Sequence, residues 1–264
     1  MSESDGRSGV GAKNLVNTYH GIIQQILRDI VEQEGGAIDK ASDILAAAYA
    51  EDRLLHICGA GGHSAIGAME IFYRAGGLTT VNAMFPVGTN IVTAFPATGR
   101  ITGMAPHVFK FYGVHQDDPL ILVNFYGLNP ASVDLAIEAK KRQVKLITVN
   151  SHAFASEVPL DFVWRHPTKQ NIHEFADAAI DNHVPLPDAV LRVEGIEEPV
   201  TPTATIATCF ALNCLMTETI RKIAARGIKP DIWISNNVLG CDEHNDPLIE
   251  KNRPRIHHLY PVAL

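Results

Sequence analysis

Apolar side chains recur at helical spacing in the first part of the chain and at mixed spacing after it. From Asn14 to Glu34 the apolar positions form one helical stripe, which ends at Gly35-Gly36, and a second stripe runs from Ala37 to Tyr49. From Arg53 onward, short apolar runs alternate with amphipathic segments. This pattern predicts an N-terminal helical pair followed by an α/β domain.

The alternating part predicts strands and helices in turn. Strands are predicted at residues 53–58, 79–85, 119–125 and 144–149, with shorter candidates at 160–164, 189–193 and 231–235. Helices are predicted at 64–74, 101–112, 130–142 and 205–225, whereas 86–100 and the polar tail 236–264 are typical of irregular structure. Such alternation favours a mostly parallel sheet with helices on both faces, and ligands bind these sheets at the carboxyl ends of the strands.

Composition narrows the class of protein further. The chain has 264 residues, 46% of them hydrophobic, which fits one sizeable α/β domain. Its net charge of -7 argues against a nucleic-acid partner. No apolar run approaches the ~20 residues that cross a bilayer, and residues 1–12 resemble a flexible tail without the apolar core of a signal peptide. Four cysteines without CxxC spacing are typical of buried free thiols, so we expect a cytoplasmic protein without a membrane partner.

The stretch LLHICGAGGHSAIGAMEIFYRAGG, residues 54–77, predicts a strand, a glycine turn and a helix. A dinucleotide fingerprint would need glycine where Ser64 stands and an acid after the second strand, and neither is present. The helix N-terminus offers free amides and the positive end of a dipole to an anion. The alternative is that Ser64 only caps the helix and the glycines only tighten the turn.

Several motifs together resemble one family. The strand-GAGG-x-S-helix pattern ends in YRAGG, and a second unit reads LILVNFYGLNPASVDLAIEAKKRQVKLITVNS at residues 120–151. FADAAIDNHVPLPDA at 175–189 and SNNVLGCDEHND at 235–246 add to the likeness. Over residues 14–259 the chain resembles the sugar isomerase (SIS) domain family, most of all its single-domain bacterial members, which are related in fold to phosphoheptose isomerases.

The resemblance implies a fold, an assembly and a class of substrate. The implied fold is α/β, a three-layer αβα sandwich with a five-stranded parallel sheet of flavodoxin-like type, preceded by the helical pair, as a single SIS domain over residues 13–264. The helical pair would dock against a partner subunit, giving a homodimer or homotetramer. The ligand would be a sugar or sugar phosphate, because members of the family isomerise, cleave, deaminate or sense phosphosugars.

The loop after the third strand departs from the family. SIS domains usually carry Ser-x-Ser-Gly there, and its hydroxyls and amides bind phosphate, whereas this chain has Asn124-Phe125-Tyr126-Gly127. The substrate is therefore expected either to lack an ordinary phosphate or to bind it differently. The residues expected to contact the substrate are Gly61, Gly62, Ser64, Asn124, Tyr126, Gly127, Asn129, Asn182 and Asn237.

Aldose–ketose isomerisation moves a proton between adjacent carbons through an enediol and needs a base near carbon and an acid near oxygen. Glu70 is the first candidate base, since in phosphoheptose-type isomerases a glutamate in this helix carries the proton. His63 precedes it by about two helical turns, so both are expected to face the same end of the site. The alternatives are a surface ion pair between Glu70 and Arg74 and a solvent-facing His63.

A second acid–base candidate is the pair Glu243 and His244, supplied by the same chain or by a partner subunit, with a solvated loop as the alternative. Asn182 could bind sugar hydroxyls, whereas an Asp-Asn pair such as Asp181-Asn182 is more typical of a turn. A divalent metal could be held by histidines and acids, but they lack the tight spacing of a zinc site, so no cofactor and no metal ligands are predicted. The histidines and acids in question are His63, Glu70, His183, Asp242 and His244.

The predicted function is therefore an isomerase acting on a sugar or sugar phosphate. The rivals are a deaminase or lyase of the same fold and a nonenzymatic sugar-binding module. The module is disfavoured because the chain carries no DNA-binding domain of the kind that regulators in the family normally have.

Overall fold

A computed structural model of the chain describes residues 11–61, 63–86 and 98–259. Its main sheet contains five parallel strands in the order β2-β1-β3-β4-β5. The strands are β1 (Leu55–Gly59), β2 (Val81–Met84), β3 (Pro119–Val123), β4 (Lys145–Asn150) and β5 (Ala178–Asp181). Every neighbouring pair is parallel, with Ile57 of β1 opposite Ile121 of β3. The predicted five-stranded parallel sheet is confirmed.

Helices cover both faces of this sheet. They are α1 (Gly11–Gln33), α2 (Gly35–Ala50), α3 (Ser64–Ile71), α4 (Ala105–Tyr112), α5 (Pro130–Lys141), α6 (His152–Glu157), α7 (Ala204–Ala225) and α8 (Cys241–Asn252). Two short strands, β6 (Ala189–Leu191) and β7 (Val200–Pro202), pair antiparallel outside the main sheet. The predicted N-terminal helical pair and the three-layer αβα arrangement are both confirmed.

The two faces of the sheet bury two separate apolar cores, because successive strand residues point to opposite sides. On one face Ile121 and Val123 pack with residues of α1, α2, α3 and α7. On the other face Leu120 and Leu122 pack with residues of α4 and α5. Because both faces are covered, β1 and β3 are buried along their whole length, which explains their continuous apolar runs.

The predicted strand at 160–164 is wrong. These residues form turns, and the side chains of Leu160 and Val163 are 65% and 72% exposed. The fifth strand is instead β5, four residues long, within the stretch that already resembled the family. Residues 160–164 form a local apolar run of the kind that is found in strands. A segment joins this sheet only if it lies beside β4, and the sequence of one segment does not specify that position.

The C-terminal part also differs from the prediction. Residues 231–235 contribute only one antiparallel bridge, between Ile232 and Leu78, and the supposedly irregular tail contains α8. The sequence of α8 is polar and has Pro247 inside it, so no apolar stripe marks it as a helix. Its buried Ile249 packs with Trp233 in a small third cluster, which is tertiary support that local pattern does not reveal.

The state of the cysteines and the character of the helices bear on the predicted class of protein without deciding it. All four cysteines are free, with Cys58 buried and the other three partly buried. Within the ranges that the structure describes, no helix combines the length and the apolar character that a membrane span requires. The cytoplasmic location and the domain limits stay predictions.

Candidate functional site

The strand order reverses between β1 and β3, and the turns that follow these two strands meet there. Gly61, in the turn after β1, has a φ of +135°, and a Cβ added to it would lie 3.1 Å from Nδ2 of Asn124 and 3.3 Å from Nδ2 of Asn129. Glycine is therefore required for the two turns to touch. In doubly wound sheets this reversal is where ligands bind. Gly62, also expected to contact the substrate, lies outside the described residues.

The carbonyl oxygen of Ala60 links the turn after β1 to the turn after β3 through hydrogen bonds. It accepts hydrogen bonds from Nδ2 of Asn124, from Nδ2 of Asn129 at 3.2 Å and from Oγ of Ser132 at 2.9 Å. Ser64 adds a further link, since its hydroxyl oxygen accepts a hydrogen bond from the backbone N–H of Phe125 at 3.3 Å. Ser64 is the first residue of α3 and does not cap it, so the capping alternative is wrong.

Both asparagines use their remaining amide oxygens within the same loop. Oδ1 of Asn124 accepts from the N–H of Gly127 at 2.7 Å, and Oδ1 of Asn129 caps α5 by accepting from the N–H of Ser132 at 2.9 Å. These contacts favour a role in shaping the loop over direct substrate contact. Substrate binding by Asn124 and Asn129 stays a prediction.

Tyr126 and Gly127 form the outer part of this loop. The ring of Tyr126 stacks on Phe154 with centroids 4.2 Å apart and remains 37% exposed. Burial, and to a lesser extent the charge of Asp188, raises the pKa of Tyr126. Gly127 has a φ of +71°, and a Cβ there would lie 2.6 Å from Nδ2 of Asn150. The loop therefore presents an aromatic surface where the family usually carries serines.

Glu70 and His63 lie at opposite ends of α3. His63 is the exposed N-cap residue, whereas Glu70 lies in the last turn, about 10 Å further along the helix axis. The prediction that both face the same end of the site is therefore wrong. Oε1 of Glu70 accepts a hydrogen bond from Nδ2 of Asn213 on α7 at 3.2 Å and lies 3.8 Å from the guanidinium of Arg74. The carboxylate side chain is 29% exposed, so a ligand can reach it.

Glu243 and His244 lie at the other edge of the sheet from the glycine turn. Both are exposed in the first turn of α8, and Nε2 of His244 is 2.9 Å from the carbonyl oxygen of Ile232. Helix α8 packs near the amino ends of the strands, because Asn252 donates to Thr79, which precedes β2. One chain therefore does not bring these two groups to the switch point, and their acid–base role stays a prediction that includes a partner subunit.

The loop before α8 approaches the end of α3 that carries Glu70. Nδ2 of Asn236 lies 3.4 Å from the hydroxyl of Tyr73, just beyond α3, and the neighbouring Asn237 is exposed. The predicted residues thus fall into two groups. One surrounds the glycine turn, and the other surrounds the C-terminal end of α3.

Asn182 belongs to neither group. It is fully buried, and its amide donates to the hydroxyl of Thr208 at 3.0 Å and accepts from the N–H of Val184 at 3.2 Å. Both polar groups of the side chain are used inside the protein, so the expected sugar contact is wrong and the turn-forming alternative fits.

Two histidines beyond β4 were missed. The rings of His152 and His173 lie 4.4 Å apart, and Nδ1 of His152 is 3.6 Å from Oδ2 of Asp181. Burial, followed by the nearby His152, lowers the pKa of His173. His152 lies shortly after the strand predicted at residues 144–149, so its position at the sheet edge could have been inferred from the sequence. His173 lies in a 3-10 turn further along the chain, and its place beside His152 depends on the tertiary fold. No cluster of three or more histidines, cysteines or acids suited to a metal occurs in the parts of the chain that are described.

Comparison with known proteins identifies the family to which the chain belongs. The model described as "SIS domain" matches residues 18–151. A UPF0309 protein of Caldanaerobacter subterraneus is 31% identical over 246 residues, covering 90% of this chain and 98% of that protein. A UPF0309 protein of Streptomyces avermitilis is 30% identical over 250 residues, covering 93% and 96%.

Among solved structures, the chain aligns with phosphoheptose isomerases. The enzyme from Francisella tularensis gives a TM-score of 0.48 at 14% identity and covers 80% of this chain and 100% of that one. The enzyme from Neisseria gonorrhoeae gives a TM-score of 0.49 at 12% identity, with coverage of 80% and 98%. The match of the family model over half of the chain and the identity to the UPF0309 proteins show that the chain belongs to the SIS domain family.

Proposed function

We propose that this chain binds a sugar or sugar derivative and interconverts its aldose and ketose forms, with Glu70 as the base. The observation that carries this proposal is an open carboxylate, 29% exposed, on the same helix whose N-terminus forms the switch-point turn. Helix α3 thus presents a ligand-binding turn at one end and a proton acceptor at the other. Carbonyl chemistry on an extended substrate needs both features.

The reaction conserves every atom of the substrate. Glu70 takes a proton from the carbon beside the carbonyl group, which leaves an enediol, and returns a proton to the neighbouring carbon. A hydroxyl proton moves between the two oxygens in the same step or through water. The carboxylate is the working form of the base in this reaction.

The glycine turn supports substrate binding in this proposal. The N-terminus of α3 provides the positive end of the helix dipole, and His63 is exposed beside it. Tyr126 and Phe154 provide a stacked aromatic surface across the neighbouring loop. A sugar that spans the two ends of α3 would place its polar or anionic end at the turn and its reacting carbons near Glu70.

A ligand screen followed by a proton-exchange assay tests this function. Free sugars, phosphosugars and sulfonated sugars are compared for thermal stabilisation of the full chain, since a ligand that binds only the folded protein raises the melting temperature as its concentration exceeds Kd. The best stabiliser is then incubated with the protein in heavy water. We expect deuterium to enter the substrate with wild-type protein and not with Glu70→Gln.

Glu218→Gln is the matched control, because Glu218 is a surface acid on α7 that pairs with Arg221. It should exchange deuterium at the wild-type rate. Stabilisation by sugars without any exchange in the wild type would instead identify a sugar-binding module. The absence of stabilisation by every sugar class would contradict the proposed function.

A further inference from the structure

Helices α3 and α7 pack against each other along a line of contact, called the seam below, and they come close together at Gly67. Gly67 has no side chain, and a Cβ added there would lie 3.1 Å from Cδ1 of Leu212 and 3.4 Å from Cγ2 of Thr208. A larger residue at this position would make the side chains of α7 shift by a few tenths of an ångström. Glu70 lies about one turn after Gly67, so this close approach brings its carboxylate within reach of polar groups on α7.

Asn213 on α7 is the group that reaches Glu70. Its Nδ2 donates to Oε1 at 3.2 Å, and the guanidinium of Arg74 lies 3.8 Å from the same oxygen. Among the described residues no hydrogen bond to Oε2 occurs, and the Glu70 side chain is 29% exposed. A carboxylate held through one oxygen keeps the other oxygen in a defined direction, as a base needs toward its proton.

Cys209 lies one turn before Asn213 on α7, and the charge of Glu70 acts on its thiol. Burial, and then the negative charge of Glu70, raises the pKa of the Cys209 thiol to about 11. The thiol is therefore protonated at neutral pH and adds no competing negative charge at the seam. Glu70 is the charged acceptor here, and Asn213 is its hydrogen-bond donor from α7.

We propose that Asn213 is the positioning residue of Glu70: its amide fixes Oε1 so that Oε2 faces the substrate, with Gly67 setting the distance between the helices. This role rests on the proposed function of Glu70 as the base. Asn213 does not itself exchange a proton with the substrate. It acts by fixing the direction of the carboxylate.

The test is the rate of deuterium exchange at saturation, measured in the full chain with the sugar that best stabilises the wild type and with Glu70→Gln as the inactive reference. Asn213→Ala removes the donor that holds Oε1 and should slow the exchange, and Asn213→Asp, which places a second carboxylate against that oxygen, should slow it further. Asn213→Gln, which keeps the amide, should restore part of the rate. Thr217→Ala is the control, since Thr217 lies one turn further on α7 and its hydroxyl donates to the backbone carbonyl oxygen of Asn213.

The kinetic constants separate a positioning role from a merely structural one. In Asn213→Ala kcat should fall by about three- to tenfold while KM changes little, because the carboxylate is misdirected but the substrate still binds. An unchanged kcat in both Asn213→Ala and Asn213→Asp, with an active wild type, would overturn the positioning role and leave the proposed function standing. A wild type that exchanges no proton with any sugar would overturn the proposed function and the positioning role with it.

Discussion

The polar groups at the two ends of α3 differ in how many of their hydrogen bonds are made inside the protein. At the N-terminal end, the carbonyl oxygen of Ala60 accepts hydrogen bonds from the amides of Asn124 and Asn129 and from the hydroxyl of Ser132. At the C-terminal end, one oxygen of Glu70 accepts a hydrogen bond from Asn213, the other has no partner among the described residues, and the side chain is 29% exposed. Polar residues at the edge of a sheet thus serve mainly to hold the turns in place, and reactivity is expected where a polar atom is left without a partner.

Gly59→Ala would disrupt the N-terminal end most strongly. A Cβ at Gly59 would overlap the backbone carbonyl of Ser64, which cannot move without displacing the start of α3. We expect a loss of about 3 kcal/mol or more in the free energy of unfolding, measured by urea denaturation.

Gly21→Ala is the control for Gly59→Ala. Gly21 lies inside α1 with nothing within 4 Å of the added Cβ, so this change should stabilise the protein by about 0.5–1 kcal/mol. Equal effects of the two substitutions would contradict the tight contact at the turn.

Asn129→Ala separates a shaping role from a binding role. The change removes the cap of α5 and one hydrogen bond to Ala60, so we expect a loss of about 1–2 kcal/mol in the free energy of unfolding. Asn237→Ala, at an exposed loop residue, should stay within about 0.5 kcal/mol of wild type. If Asn129→Ala kept full stability but lost sugar binding, Asn129 would be a ligand residue, and the contrast between the two ends of α3 would fail.

The alkylation rate of Cys209 reports the charge at the C-terminal end. Glu70→Gln removes one of the two causes that raise the pKa of Cys209, so the pKa should fall and the thiolate fraction at pH 9 should rise. We expect roughly threefold faster alkylation by iodoacetamide, followed by peptide mass spectrometry. The reference is Cys214, whose pKa is raised by burial alone and whose rate should not change. An unchanged rate at Cys209 would place Glu70 away from the seam.

Much of the fold could be predicted from the chain itself. Buried parallel strands are continuous apolar runs, so β1, β3 and β4 were predicted to within a few residues, and the glycine turn between β1 and α3 followed from Gly59 and Gly61. Strand β5 and helix α8 were not predicted, because the sequence AAID of β5 is not a strong apolar run and α8 has no apolar stripe. Their structure depends on packing against distant segments.

The candidate site was predictable in place but not in detail. The switch point and Glu70 were predicted, yet the partner of Glu70 comes from Asn213, 143 residues further along the chain. Nothing local to Asn124 or Asn182 shows that its amide is already satisfied by the backbone or by a neighbouring side chain. Spacing along the sequence predicts which end of a strand a residue occupies, whereas the hydrogen-bond partners depend on the tertiary fold.

The most direct test compares the two ends of α3 in one assay. With the sugar that best stabilises the wild type, affinity and deuterium exchange at saturation are measured for Glu70→Gln and His63→Gln. The prediction is that Glu70→Gln binds within about threefold of wild type but loses exchange by about 100-fold or more, whereas His63→Gln binds about three- to tenfold more weakly and keeps its exchange at saturation. Full exchange in Glu70→Gln, or exchange lost only in His63→Gln, would contradict a base at the C-terminal end of α3.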